Sequence, residues 1–289
     1  MERCSRFLFA GTLAVLAVGV AILIFCALPT VYAQEGQPQD PPKEGEPQEP
    51  PKEGEPQEPP KEEPEPEDEK PKELTKEDAK AKLDAFKKAY QAAAKDEIAR
   101  CEAVEALERA LHPDIIQMLG QILVGDKSEK VCSAAAEMLG SMQDKRAVTP
   151  LDKGLKAHKR KYAIWVYILD ALGEIADPTC VPPLTSFLKM NTATFDKNVR
   201  DCVLAAIRSL GEVKDKTAID GLIKCFDLIG VKDSLTEDEQ KSIYDSYASE
   251  YCNSLSKLTG QNFQTQLEFS KWWQKNAKTF KFPEEEKPE

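Results

Sequence analysis

The sequence holds only two histidines, His112 and His158, the side chains whose ordinary titration lies near neutral pH. His112 lies in an expected turn before Pro113, and His158 lies in a lysine-rich loop. Neither stands at ligand spacing from a cysteine, aspartate or second histidine, so neither is read as a metal ligand or a general base. The chain has no Gly-x-Ser-x-Gly, no phosphate-cradling glycine loop and no His-Glu-x-x-His. No catalytic residue, metal site or cofactor site is therefore expected, and the chain is read as a non-enzyme.

Cysteines offer a second chemistry. Cys101, Cys132, Cys180, Cys202, Cys225 and Cys252 follow residue 33, and no two are in Cys-x-x-Cys spacing, which argues against zinc and against a dithiol redox centre. Cys202 and Cys225 lie equally far from the middle of an expected helix–helix turn, so antiparallel helices would set them at one height. A bond between them would contribute about 3 kcal/mol by the chain-entropy model. The competing reading makes both small buried hydrophobes with reduced thiols.

A third feature is a cluster of charge beside aromatics. Lys153, Lys156, Lys159, Arg160 and Lys161 adjoin Tyr162, Trp165 and Tyr167. Lys156, Lys159, Arg160, Lys161 and Trp165 form a candidate binding patch for an acidic polymer, an anionic lipid surface or the chain's own acidic tract. The bland alternative is a solvated loop next to aromatics that fill space between helices.

These residues must be held by something, and the sequence shows what. Met138-Leu139-Gly140 followed by Asp144, Val148 and Leu151 recurs as Ala171-Leu172-Gly173 with Asp177, Val181 and Leu184. It recurs again as Ser209-Leu210-Gly211 with Asp215, Ile219 and Leu222. Before each Leu-Gly, apolar residues fall at helical spacing, as with Ile164, Ile168, Ala171, Leu172 and Ile175. The glycine lets a partner helix approach or lets the helix close. The aspartate then stands where a second helix begins and accepts that helix's free N–H groups, with Pro178 well suited to the first position. Each block predicts a two-helix hairpin that buries its apolar side only against the next.

The pattern resembles HEAT repeats, in particular the short form seen in bilin-lyase-like proteins, whose helix reads Val-Arg-x-x-Ala-Ala-x-Ala-Leu-Gly. Ala99-Arg100-Cys101-Glu102-Ala103-Val104-Glu105-Ala106-Leu107 matches closely and adds a unit upstream, departing at Glu108 and His112. Phe263 and the pair Trp272-Trp273 are similar to the closing segment of exported bacterial HEAT-repeat proteins. That resemblance covers about 200 residues after position 73 and implies an all-α solenoid of about five hairpins in a right-handed superhelix, sealed by an aromatic cap.

The N-terminal part is of another kind. Residues 1–33 carry Arg3, Arg6 and an apolar run from Phe7 to Leu28, a signal peptide cleaved before Gln34 or an uncleaved anchor crossing the membrane through residues 7–28. Residues 34–73 repeat Pro-Pro-Lys-Glu-Gly-Glu-Pro-Gln-Glu and hold 15 acidic and 5 basic residues, a disordered, extended spacer in this reading. Residues 74–289 carry 32 basic and 34 acidic groups, which gives no electrostatic case for nucleic acid. The expectation is an exported, non-catalytic module of the bacterial envelope that binds a protein or peptide. A bilin-lyase-like enzyme and a structural spacer or wall-associated element are the alternatives.

Overall fold

The computed structural model of the 289-residue chain describes residues 71–192, 197–229 and 236–283. The expected targeting segment 1–33, and the spacer up to residue 70, lie outside the described residues. No helix among the described residues is long and apolar enough to cross a membrane.

The sequence folds into helices for local reasons that repeat. Thr75 accepts the Asp78 N–H and starts α1 (Lys76–Ala92). Five hairpins follow: α2 (Glu97–Glu105) with α3 (Pro113–Gly125), α4 (Glu129–Ser141) with α5 (Val148–Ala157), and α6 (Tyr162–Ile175) with α7 (Val181–Asn191). Then come α8 (Lys197–Glu212) with α9 (Lys216–Phe226), and α10 (Glu237–Thr259) with α11 (Gln266–Asn276). Among the described residues the only strand-like pairing is the isolated bridge between Glu73 and Leu111. Glu73, placed by the sequence at the end of the spacer, also meets Arg146 at 2.8 Å.

The three aspartates cap as expected. Asp144 accepts the Arg146 N–H, Asp177 the Thr179 N–H and Asp215 the Thr217 N–H, each at 2.7–2.9 Å. The first two cap a single 3-10 turn, Lys145–Ala147 and Pro178–Cys180, that leads into the α-helix, a detail the spacing does not announce. Thr236 and Thr265 each form a full capping box, with Glu239 and Glu268.

Odd and even helices form two rows in sequential order. In the first row α2, α4, α6, α8 and α10 each pack on the next. Glycine is what lets them. A Cβ on Gly140 would stand 2.8 Å from the Cα of Ala171, one on Gly173 3.1 Å from the Cα of Ser209, and one on Gly211 3.2 Å from that of Ser254. Of the two roles the sequence left open for these glycines, close approach is the one used. The helices close three residues later, where Gln143 and Ala176 take left-handed φ values of 48° and 50°. The hydroxyls brought into this row donate to backbone carbonyls across it, Ser209 to Leu169 at 2.7 Å and Ser254 to Ile207 at 3.2 Å. Buried polar groups thus stitch the row rather than weaken it.

The second row, α3, α5, α7, α9 and α11, is looser. α3 packs on α5, α7 on α9 and α9 on α11, but α5 and α7 touch only sparsely. Between the rows runs one continuous apolar core from Ala79 to Trp273, in which Leu139, Leu172 and Leu210 of the recurring Leu-Gly pairs are fully buried.

The chain end closes the stack with rings. Phe263, Phe269, Trp272, Trp273, Phe280 and Phe282 form a connected cluster with centroid separations of 5.1–6.3 Å. Trp273 is buried and its indole N–H donates to Asp220 of α9 at 2.6 Å. The aromatic pair therefore seals the last hairpin as the sequence predicts.

Candidate functional site: the cleft between α5 and α7

Trp165 occupies the α6 position that Cys132 occupies in α4, one 33-residue step earlier. Cys132 is small and buried. Trp165 is only half-buried, and its indole reaches the second row, donating to the Leu155 carbonyl of α5 at 3.2 Å and meeting Phe187 of α7 edge-on at 5.3 Å. Tyr162 braces it from the other side at 5.5 Å, also edge-on. A large ring thus stands between α5 and α7 where the preceding repeat places a small side chain.

The result is a cleft of about 310 Å³. Its floor is apolar, made by Leu155, Trp165, Pro183, Phe187 and Met190, and its rim carries Asp152, Lys156, Lys159, Ser186 and Asn191. Met190 is 68% exposed, a large apolar lining side chain left in water. Lys156 is paired with Asp152 at 2.5 Å, one helical turn away. Such a surface fits an apolar anchor with negative charge around it.

The structure brings together three of the five patch residues read from the sequence. Trp165, Lys156 and Lys159 line the cleft; Arg160 and Lys161 do not. Arg160 sits in the turn with a left-handed φ of 60°. Lys161 precedes α6, accepts the Trp165 backbone N–H at 3.1 Å and faces Glu129 of α4 at 3.5 Å.

The histidines and cysteines read from the sequence are placed as follows. His158 lies in the loop just after α5, as the sequence reads, but it is buried there, and its Nε2–H donates to the Leu123 carbonyl at the end of α3, joining α5 to α3. His112 is the N-cap of α3, its Nδ1 accepting the Asp114 N–H at 3.2 Å. Cys202 and Cys225 form no disulfide; all six cysteines of the described residues are free thiols. The Cys202 thiol points to the Tyr162 carbonyl at 3.4 Å and that of Cys225 to the Thr185 carbonyl at 3.9 Å, so both are turned to the preceding hairpin. Burial pushes the Cys225 thiol up to about 11 and that of Cys202 up to about 12, far from a reactive thiolate at neutral pH. Among the described residues no group of three or more His, Cys, Asp or Glu is arranged to hold a metal ion.

Two more clefts flank the same row. One of about 430 Å³ lies between α3 and α5, with Gln117, Gln121, Val124, Pro150 and Lys153. Another of about 400 Å³ lies between α1 and α3, and shares Gln117 and Gln121 with it. Sequence patterning missed these because they depend on how far neighbouring helices stand apart, which no residue spacing states.

On the first row, carboxylates gather where the helices come closest. Desolvation raises the carboxyls of Glu137, Asp170 and Glu174, and neighbouring like charges, Glu105 beside Glu137 and then Asp170 and Glu137 beside Glu174, add to the rise.

Comparison with known proteins agrees with the architecture. Residues 83–169 match the family described as HEAT repeats, and residues 204–227 match the PBS lyase HEAT-like repeat. No curated protein matches. A solved structure of a de novo designed 16-helix transmembrane nanopore is 15% identical over 69% of this chain, with a TM-score of 0.17, too low to carry any argument. The alignment spans 61% of that chain, less than two thirds of its length.

Proposed function

This chain carries a domain of HEAT repeats, and on that premise we propose that it is a non-catalytic interaction module that holds a protein or peptide partner against its solenoid. The observation that supports the reading most is the wedge at Trp165. Trp165 braces an apolar, lysine-rimmed cleft between α5 and α7 and leaves Met190, a large apolar side chain, exposed beside it. Stacked helical hairpins offer long side-chain surfaces of this sort to partners.

The same proposal takes the row as a right-handed superhelix, carried outside the cytoplasmic membrane by the apolar segment 7–28 and the acidic tract 34–73. Export rests on Arg3, Arg6 and the apolar run alone.

A photo-reactive amino acid at Met190 in the full chain, irradiated in envelope extract, tests the interaction. The expected product is a discrete cross-linked protein that competes away with unlabelled chain. Absence of any such product from Met190, and from control positions Glu137 and Tyr244, in protein folded by circular dichroism, would overturn it. A second reading, a bilin-lyase-like accessory protein, is favoured only by the match over residues 204–227. A shifted visible absorption band on incubation with a bilin is its test.

A further inference from the structure

We infer that the three clefts along the second row form one track for an extended acidic peptide, with an apolar side chain of that peptide seated against Trp165, Phe187 and Met190. This rests on the interaction reading above and adds the ligand's chemistry and path.

Continuity is the first argument. Gln117 and Gln121 of α3 line both the α1/α3 cleft and the α3/α5 cleft, and α5 presents Lys153 to the latter and Lys156 to the α5/α7 cleft. The first two clefts thus share residues, and the third lies one helical turn further along the exposed side of α5, so the track runs over α1, α3, α5 and α7. Steps of about 8–10 Å between packed helices, with a wider one from α5 to α7, give a length of about 27 Å or more, which an extended chain of about eight or nine residues covers.

Charge is the second. Lys76, Lys80 and Lys87 of α1 and Lys153, Lys156 and Lys159 of α5 line the track, against three aspartates, Asp84, Asp114 and Asp152. Among the described residues only Lys156 of these six lysines has an ion pair. A repeat domain of nearly balanced charge, 32 basic and 34 acidic groups over residues 74–289, thus turns a locally basic strip outward. Carboxylates of a peptide fit lysines spaced along such a strip, and they steer encounter as well as hold register.

Backbone recognition is the third. A row of helices has no free backbone N–H or C=O to offer an extended chain, so side-chain amides must take that role. Gln117 and Gln121 are exposed at the centre of the track, each able to donate to and accept from a peptide bond.

The same features disfavour a nucleic acid. The lining contains no arginine, and Trp165 is held edge-on between Tyr162 and Phe187 in the cleft rather than presented as an open stacking platform.

The test is selection of a random nonapeptide library displayed on phage against the full chain, with synthetic versions of the enriched peptides titrated by fluorescence anisotropy. Enriched peptides are expected to carry net negative charge and one large apolar residue. Their affinity should fall at least about tenfold in K156E/K159E and fall again in M190E, while K224E on α9, outside the track, stays within about twofold. Enrichment of neutral or basic peptides, absence of enrichment, or binding indifferent to K156E/K159E and M190E would each overturn the inference. So would equal affinity for a single-stranded oligonucleotide of similar length. A cross-linked partner recovered as described above, together with any of these results, would leave the interaction module standing and remove only this track.

Discussion

The indole N–H of Trp165 donates to the carbonyl of Leu155, and one repeat earlier the Cys132 thiol points to the carbonyl of Ile122, the same backbone position 33 residues back. Two side chains of very different size thus answer one acceptor. Replacing Trp165 by Ala removes the wedge and its bond. The expected loss is about 2–3 kcal/mol in urea unfolding, below the 3–5 of a fully buried aromatic because Trp165 is half in water. Trp165→Cys should recover part of this, since it copies the preceding repeat; equal losses in the two variants would contradict the wedge.

Glycine substitutions separate close approach from helix propensity. Gly140→Ala and Gly173→Ala put a Cβ against the next helix, at 2.8 Å and 3.1 Å from its backbone. Each is expected to cost about 1–3 kcal/mol. Gly125→Ala, at the end of α3 with nothing within 4 Å, should be neutral or stabilising by up to about 1 kcal/mol. Thermal melts of the three variants check the order.

Acid titration of stability has two opposed contributions that variants can isolate. The Arg146 guanidinium and backbone N–H bonded to Asp144 hold its carboxyl below the ordinary range. Its stabilisation is therefore present above the unfolded value of about 3.9 and lost as pH falls through the lower folded value. Glu174 is raised by desolvation, so its ionised form costs stability at neutral pH and that cost vanishes as pH drops through the raised value. Asp144→Ala should lower stability at pH 7 by about 1–2 kcal/mol, and Glu174→Gln should leave it equal or higher. Both differences should shrink towards about pH 3. Denaturant midpoints at the two pH values decide it, and a Glu174→Gln gain that grows in acid would contradict the sign.

Much of this was legible beforehand, and the boundary is physical. Leu-Gly and Asp recur because every hairpin needs the same buried leucine, the same close approach and the same cap, so the rows and their order could be read off directly. The pairing of Cys202 with Cys225 could not. Equal height along two antiparallel helices fixes one coordinate only, and rotation about each helix axis turned both thiols to the preceding hairpin. The burial of His158 within its loop was likewise hidden, because its partner, the Leu123 carbonyl, is a backbone group with no sequence signature. The cleft needed a comparison between repeats, Trp165 against Cys132, together with the spacing of α5 and α7.

Thiol accessibility follows from the same geometry. In native protein at pH 8, iodoacetamide should modify Cys101, the half-buried one, well before Cys132, Cys180, Cys202 and Cys225, whose burial is nearly complete. In denaturant without reductant all six should be labelled, as read by peptide mass mapping. Unlabelled Cys202 and Cys225 there would restore the disulfide.

Removing the terminal seal has a local cost. Trp273→Phe deletes the donor to Asp220 and leaves that carboxylate without its partner, for an expected loss of about 1–2 kcal/mol. Hydrogen exchange should rise first in α11 and α9, and uniform destabilisation of α2 to α7 would contradict a closing role.

The two rows differ in how they yield. Glycines and serines lock one edge at near-contact distances, while the opposite edge keeps gaps between its rods. Such a stack gives way as a bound book does, fanning at the fore-edge while the spine stays whole. A guest pressing between α5 and α7 thus spends its work on the loose margin, and the stitched one need not be broken to admit it.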